Sequence, residues 1–312
     1  MTKAPAESQH IAPPATASAL FLVLEIGADR AALARARAVL AATDDLVGDI
    51  LVRAGETTFG CTAGISHRLW EPLTHTAAPR ELHPFKEFRG AAHAAVSTPG
   101  DLLYHVRSDS TDLIVEFEKI LLSRFGDAVT VVDEVTGFRY FDGRDLLQFA
   151  DGTANPNGAA LLEDIVVGDE DPDHAGGSYV VVQKYLHDLA AWERETTETQ
   201  QRIIGRTKFD NVELPDATAG QKAHKTLCTI TDDIGEYDIL RDNMPFAVPG
   251  RNVYGTYFIG YSRRLWVIEK MLERMFLGDP PPLHDRILDY STAVTGLSFF
   301  APARGFLSGL DG

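Results

Sequence analysis

Cysteine is scarce in this 312-residue chain, which contains only Cys61 and Cys228. Because no CxxC motif occurs, the sequence disfavours a zinc ribbon or a thioredoxin-type redox site. A single disulfide is an alternative, but the simpler interpretation is two buried thiols in a reducing compartment. The sequence contains neither a Gly-x-Gly motif nor a P-loop, which disfavours nucleotide-dependent enzymes.

Positive charge is also in deficit, with 29 basic against 45 acidic residues and a formal net charge of −16. Nonspecific binding to DNA or to anionic membranes needs a positive field, so we expect neither partner. The same charge favours solubility and the approach of neutral or cationic substrates. At 45% hydrophobic and 24% charged residues, the composition is that of a soluble globular protein.

No apolar run is long enough to cross a membrane. The run at 19–24 has six residues and is typical of a buried strand. Residues 1–18 are mostly Pro, Ala, Ser and Thr, without the charged start and apolar core of a secretory signal. We therefore expect a cytoplasmic protein with a flexible N-terminal arm over 1–18.

The pattern of strands and helices repeats in the two halves of the chain. Gly64–Trp70 and Gly260–Trp266 agree at five of seven positions, and each follows a β-like run. The sequence thus predicts two copies of one α+β unit, at 19–150 and 151–312, connected through 136–177. Predicted strands lie at 19–26, 57–65, 102–106, 128–135, 178–184, 224–231 and 253–261, and predicted helices at 30–40, 111–125, 186–195, 198–205 and 265–276.

Four polar residues are candidates for chemistry. Asp151 follows an apolar stretch, in a loop bent by glycine, asparagine and proline, and His224 opens a predicted strand. Arg241 and Asn243 come seventeen and nineteen residues after His224. Taken singly, each has an ordinary explanation: a turn residue, a structural histidine or one member of an ion pair.

Together the four residues fit a haem site. A neutral imidazole is a good axial iron ligand. A carboxylate and a guanidinium on the other side could move a proton and stabilise negative charge while peroxide is cleaved. A site between two similar halves is also a common place for a ligand.

The residues that carry this interpretation resemble the dye-decolorising peroxidases, close to their B-type bacterial branch. The resemblance covers about 19–302 and rests on Phe149–Pro156, His224 and Arg241–Phe246, with support from Thr98–His105 and Gly255–Tyr261. It implies an α+β fold of duplicated ferredoxin-like units, with two antiparallel sheets, helices and a b-type haem between the halves. The C-terminal half would hold most of that haem.

The resemblance also implies a role for each site residue. His224 would be the proximal iron ligand, and Asp289 would accept the hydrogen bond from its imidazole, which makes the ligand more basic. The remaining assignments are Asp151, Arg241 and Asn243 as distal residues, Phe258 as an apolar wall and Arg206 as a partner of a haem propionate.

The implied activity is a haem-dependent peroxidase that reduces hydrogen peroxide through a ferryl intermediate and oxidises dyes, phenols or other one-electron donors. Trp192 and Trp266 could relay electrons from bulky reductants, or be ordinary core residues. A homo-oligomer, with a hexamer as one form, is also implied. Residues 308–312 do not resemble an encapsulin-targeting tail, which disfavours packaging in that shell. Two alternatives stay open: a haem-transfer protein with incidental peroxidase activity, and a haem-free ferredoxin-like binding module.

Overall fold

The computed structural model describes residues 7–55, 57–217 and 219–311. Its strands are β1 (Ser18–Ile26), β2 (Phe59–Ser66), β3 (Phe88–Arg89), β4 (Ala94–Ala95), β5 (Leu102–Ser108), β6 (Val129–Phe138), β7 (Ser178–His187), β8 (Ile230–Thr231), β9 (Glu236–Tyr237), β10 (Leu240–Arg241), β11 (Met244–Val248), β12 (Val253–Ser262), β13 (Ser291–Ala293) and β14 (Leu297–Ala301). Its helices are α1 (Arg30–Ala41), α2 (Thr43–Ala54), α3 (His67–Thr74), α4 (Thr111–Phe125), α5 (Gly158–Ile165), α6 (Leu189–Trp192), α7 (Thr197–Ile204), α8 (His224–Cys228), α9 (Leu265–Leu277) and α10 (Arg304–Ser308).

The first half of the chain forms an antiparallel sheet in the order β6-β1-β5-β2. Counted within that half, this is the strand order 4-1-3-2 of a ferredoxin-like unit, with α1, α2 and α4 as its helices. Helix α1 begins where predicted, because the Asp29 carboxylate accepts hydrogen bonds from the backbone N–H groups of Ala31 and Ala32.

The second half repeats the arrangement as β14-β7-β12-β10, with β11 also paired to β12 and β13 to β7. The α+β class is therefore confirmed, but one detail differs from expectation. Strand β14 pairs with β2 through Phe299 and Phe300, so the two expected sheets form one ten-stranded sheet in the described residues.

The repeated heptapeptide lies at equivalent junctions in the two halves. Ser66 and Ser262 end β2 and β12, and helices α3 and α9 start one and three residues later. The two copies differ in burial, since Trp70 is fully buried and Trp266 is 37% exposed. The sequence match therefore marks a shared strand-to-helix turn rather than a shared binding surface.

One hydrophobic cluster lies between the two halves of the sheet, and includes Phe21 of β1, Val180 of β7, Tyr257 of β12 and Phe299 of β14. A second, larger cluster lies where the helices cover the other side of the strands. Since side chains alternate along a strand, β7 and β12 direct one set of residues to the shared core and the other set toward helices. The cavity described below lies on this helical side.

The described part of the predicted flexible arm is packed against the protein. Gln9 and Ile11 are buried, and the Gln9 side chain bonds with the backbones of Ala63 and Pro302. The first six residues of the arm lie outside the described residues. Low sequence hydrophobicity predicted flexibility here, but the amide of Gln9 pairs with backbone groups that would otherwise be buried without partners.

The strand predicted at 224–231 is wrong, because His224–Cys228 form the helical turn α8 and only Ile230–Thr231 are extended. A short stretch of mixed polarity fits both the two-residue period of a strand and the 3.6-residue period of a helix. Packing against α9 stabilises the helical form. Of the described helices, none is both long and apolar enough to cross a bilayer.

Candidate active site

A cavity of about 490 Å³ opens on the helical side of the second half of the chain. Its floor is formed by alternate residues of β7 and β12, including Gln183, Tyr185 and Phe258. All of its lining residues lie between Ala150 and Ser291. The cavity is therefore inside the second half, between its sheet and its helices, whereas the sequence predicted a ligand between the two halves.

The Asp151 loop reaches this cavity because of a turn at Gly152, whose φ of +70° suits glycine. The Asp151 carboxylate accepts hydrogen bonds from the Gly152 N–H at 2.7 Å and from Asn243 Nδ2 at 3.0 Å. Asn243 Oδ1 in turn accepts from the backbone N–H of Ile259 at 3.2 Å. Two donors thus orient a partly buried carboxylate toward the cavity.

Arg241 is held to the same loop through its backbone. Asn155 Nδ2 donates to the Arg241 carbonyl oxygen at 2.7 Å, and the Arg241 N–H donates to Asn155 Oδ1 at 3.0 Å. The Arg241 side chain lines the cavity, and its guanidinium makes no hydrogen bond or ion pair with another described residue. Asp151, Arg241 and Asn243 are therefore brought together as predicted, with Asn155 as an additional positioning residue.

A second carboxylate lies behind this loop. Asp145 accepts a hydrogen bond from the Phe149 N–H at 2.9 Å. Burial and the nearby Asp151 raise the pKa of Asp145 to about 7, against the opposing effect of two backbone N–H groups and His224. The Asp145 carboxyl can therefore exchange a proton near neutral pH. Sequence reasoning did not identify it, because an Asp in a turn is unremarkable without its surroundings.

His224 enters the cavity from α8. Its Nδ1 lies 2.7 Å from Asp285 Oδ2, and the Asp285 side chain is fully buried. Burial alone would lower the pKa of His224, but the neighbouring Cys228 and Asp285 raise it well above the ordinary value. The remaining ring nitrogen, Nε2, has only the Cys228 sulfur at 3.9 Å as a described partner.

Asp285 replaces Asp289 as the carboxylate partner of His224, and the prediction of Asp289 is wrong. Asp289 Oδ1 instead lies 2.8 Å from His284 Nε2 and 3.1 Å from His93 Nε2. The two aspartates are four residues apart around a 3₁₀ turn that begins at Asp285. Sequence alone left the choice open, since only the turn decides which carboxylate faces inward.

The two remaining predicted residues, Phe258 and Arg206, also line the cavity. Phe258 lines it from β12 and Arg206 from the end of α7. Arg206 is already engaged, with Nε 2.7 Å from Asn211 Oδ1 and Nη1 3.1 Å from Glu213 Oε2. Its pairing with a haem propionate stays a prediction.

The residues present fit a haem. The imidazole of His224 lines the cavity and is a suitable iron ligand, because metal binding displaces the proton of the ligating nitrogen. A carboxylate on the other ring nitrogen, here Asp285, is the expected support. Gln183 is fully buried in the floor, and its Nε2 donor has no described partner, which suits a polar edge of a ligand. Apolar cavity residues are Ile204, Phe258, Ile268, Met271, Leu272, Met275 and Ile287.

Comparison with known families identifies the chain. The N-terminal Dyp-type peroxidase model matches residues 8–139, and the C-terminal one matches residues 142–306. The chain belongs to the Dyp-type peroxidase family. A dye-decolorizing peroxidase of Mycolicibacterium paratuberculosis is 49% identical, with 97% of this chain and 85% of that protein covered. The corresponding protein of Mycobacterium tuberculosis is also 49% identical, with 96% and 89% covered.

Solved structures agree with this family assignment. DyPB from Rhodococcus jostii RHA1 has a TM-score of 0.94 and 48% identity, with 98% of this chain and 99% of that chain covered. A single-residue variant of that protein was solved in complex with heme. An encapsulated DyP-type peroxidase from Mycobacterium smegmatis has a TM-score of 0.94 and 46% identity, with 98% of both chains covered. This Dyp-type peroxidase is therefore a haem enzyme, and the haem-transfer alternative is not favoured.

Proposed function

We propose that this peroxidase holds haem through His224 and binds hydrogen peroxide beside Asp151, Arg241 and Asn243. The observation that carries the proposal is that both sets of residues line one cavity, each with its own hydrogen-bonded support. Bound haem would supply the redox chemistry that peroxide cleavage requires. Asp285 would keep the proton on His224 Nδ1, so that Nε2 is free to ligate iron.

On the peroxide side, Asp151 and Arg241 would have different tasks. A carboxylate can take a proton from one peroxide oxygen and return it to the other. A guanidinium stays protonated, so Arg241 would stabilise the negative charge that develops as the O–O bond lengthens. Asn243 and Asn155 would keep both groups in position, since each bonds to one of them.

Replacement of each distal residue tests this division of labour. We expect Arg241→Ala to slow the peroxide-dependent change in the Soret absorbance more than Asp151→Ala does, by stopped-flow measurement. Asn243→Ala, which removes one donor to Asp151 and the acceptor of the Ile259 N–H but leaves both the carboxylate and the guanidinium, serves as the milder comparison. Wild-type rates in Arg241→Ala, with loss in Asp151→Ala, would reverse the ranking. A Soret band of wild-type strength in His224→Ala would contradict the iron-ligand assignment.

Dyes and phenols too large for the cavity would give up electrons at the surface. Trp266 is 37% exposed, and its ring lies 4.8 Å from that of Tyr237, which lines the cavity. Trp192 is buried and donates to the Leu147 carbonyl oxygen, as a core residue does. Trp266 is therefore the better candidate for a relay. Trp266→Phe should slow a bulky dye more than a small phenol, and an equal effect on both would count against the relay.

The assembly and its location are further proposals. We expect a cytoplasmic homo-oligomer, and light scattering of the purified protein tests whether it is a hexamer. The Mycobacterium smegmatis relative is encapsulated. Co-expression with an encapsulin shell, followed by purification of the shell, tests whether this chain is packaged as well.

A further inference from the structure

Three potential metal ligands meet outside the haem cavity. His93 lies between β3 and β4, and His284 and Asp289 lie before and within the 3₁₀ turn at 286–289. The Asp289 Oδ1 atom is 3.1 Å from His93 Nε2 and 2.8 Å from His284 Nε2. The three ligand atoms all lie within 4.8 Å of one another. None of them belongs to the cavity lining.

These separations suit a metal ion as well as hydrogen bonds. With zinc bonds of about 2.0–2.2 Å to nitrogen and oxygen, neighbouring ligand atoms are about 3.0–3.5 Å apart. Both Nε2 atoms already approach one carboxylate oxygen, so small ring rotations bring all three atoms around one point. Two imidazoles and one carboxylate form a borderline donor set that zinc and similar divalent transition ions accept.

The surroundings leave this cluster accessible and give the carboxylate its orientation. The side chains of His93, His284 and Asp289 are 25%, 23% and 35% exposed. Arg286 Nε approaches the other oxygen, Oδ2, at 3.5 Å, which leaves Oδ1 for a ligand bond. A polar partner on the second oxygen of a ligating carboxylate is a common support in metal sites, and the Arg286 ion pair supplies one here.

We propose that His93, His284 and Asp289 form a binding site for a divalent transition-metal ion of the zinc type, separate from the haem iron. The ion would join the β3–β4 hairpin of the first half to the turn that carries Asp285 in the second. Because the unfolded chain does not present these ligands together, a bound ion stabilises the folded state by mass action.

Zinc titration of the haem-loaded protein, without a histidine tag, tests the site by isothermal calorimetry. We expect one zinc per chain, a zinc-dependent rise in the melting temperature and an unchanged Soret band. His93→Gln is the informative variant, because the amide can still donate to Asp289 while it ligates zinc poorly. It should weaken zinc binding by more than about tenfold. His83→Gln is the matched control, since His83 pairs with Glu269 outside the cluster and should leave zinc affinity unchanged.

Three results would overturn the proposal. Zinc affinity in His93→Gln equal to that of the wild type would place the ion elsewhere, as would an anomalous zinc peak away from these residues in a soaked crystal. Absence of binding at millimolar zinc would reduce the cluster to a hydrogen-bonded clamp. Asp289→Asn provides a second test if His93→Gln folds poorly, since an amide oxygen is a weak zinc ligand and loss of affinity is again expected.

Discussion

The buried ion pair between Arg107 and Asp242 offers a sharp test of how the first half supports the distal residues. Arg107 lies on β5 and is 1% exposed, and its Nη1 lies 3.0 Å from Asp242 Oδ2. Arg107 Nη2 donates to Thr62 Oγ1 at 2.9 Å and to the His10 carbonyl oxygen. Asp242 is the residue between Arg241 and Asn243. The pair therefore ties the segment that carries Arg241 and Asn243 to the first half of the sheet.

Asp242→Asn would leave the Arg107 charge buried without its counter-charge. Removal of one partner from a fully buried pair costs about 3–5 kcal/mol of unfolding free energy. The Asp242 side chain is 21% exposed, and asparagine can still accept one hydrogen bond. We therefore expect a loss of about 2–3 kcal/mol. The peroxide reaction should slow as well, because Arg241 and Asn243 lose a fixed neighbour.

Reversible urea unfolding, with the slope of the transition compared between variants, measures the stability change. The control is the exposed pair of Arg53 and Glu116, 3.2 Å apart, in which Arg53 is 63% exposed. Glu116→Gln should change the unfolding free energy only slightly, because solvent screens an exposed ion pair. If Asp242→Asn costs no more than Glu116→Gln, the buried pair is not a structural anchor and the reasoning fails.

Two local features of the structure and the net charge of the chain support three further predictions. In the folded protein, Asp145 keeps its proton up to a pKa of about 7. In the unfolded chain the same carboxyl loses its proton near pH 4. The free energy of unfolding therefore falls as the pH rises from about 4 to about 7. Asp145→Asn has no carboxyl to titrate, so its free energy of unfolding should rise relative to that of the wild type by on the order of 3 kcal/mol from pH 5 to 8, as measured by urea unfolding. A difference between the two proteins that does not change with pH would refute the raised pKa of Asp145. Gln148 is exposed with a φ of +72°, so Gln148→Gly should raise the unfolding free energy by about 0.5–1 kcal/mol, and a lower melting temperature would contradict the strain. With a net charge of −16, oxidation of an anionic dye should accelerate with added salt while that of a cationic dye slows; equal salt responses in steady-state assays would exclude charge steering.

Much of the active site was predictable because its residues stand in distinctive sequence motifs. Asp151, Arg241 and Asn243 lie in motifs around glycine, asparagine and proline, and the structure brings them together. His224 also reaches the cavity, although the strand predicted for it is a helix. The sequence singled out these residues by their side-chain chemistry, which does not depend on secondary structure. The wrong strand prediction at 224–231 therefore did not affect the choice of His224.

The partner of His224 was not predictable in the same way. Asp285 and Asp289 are four residues apart in one segment, and both are plausible carboxylates. Asp285 faces inward because it begins a 3₁₀ turn whose Leu288 is buried, while Asp289 is left at the surface beside two histidines. Such a choice depends on which side of a turn meets the core, and no local pattern records it.

The position of the cavity is the clearest example of a feature that only the tertiary structure determines. By itself, the sequence determined the α+β class and the internal repeat, and it predicted residues for haem and peroxide, because periodicity, turn residues and ligand chemistry are local properties. Only the tertiary structure decided that the two sheets join through β2 and β14, and that the faces between the halves fill with hydrophobic side chains. The described cavity lies on the opposite, helical side of β7 and β12. Burial of apolar faces is a property of the whole assembled chain, which is why the sequence predicted a ligand between the halves whereas the described cavity lies within the second half.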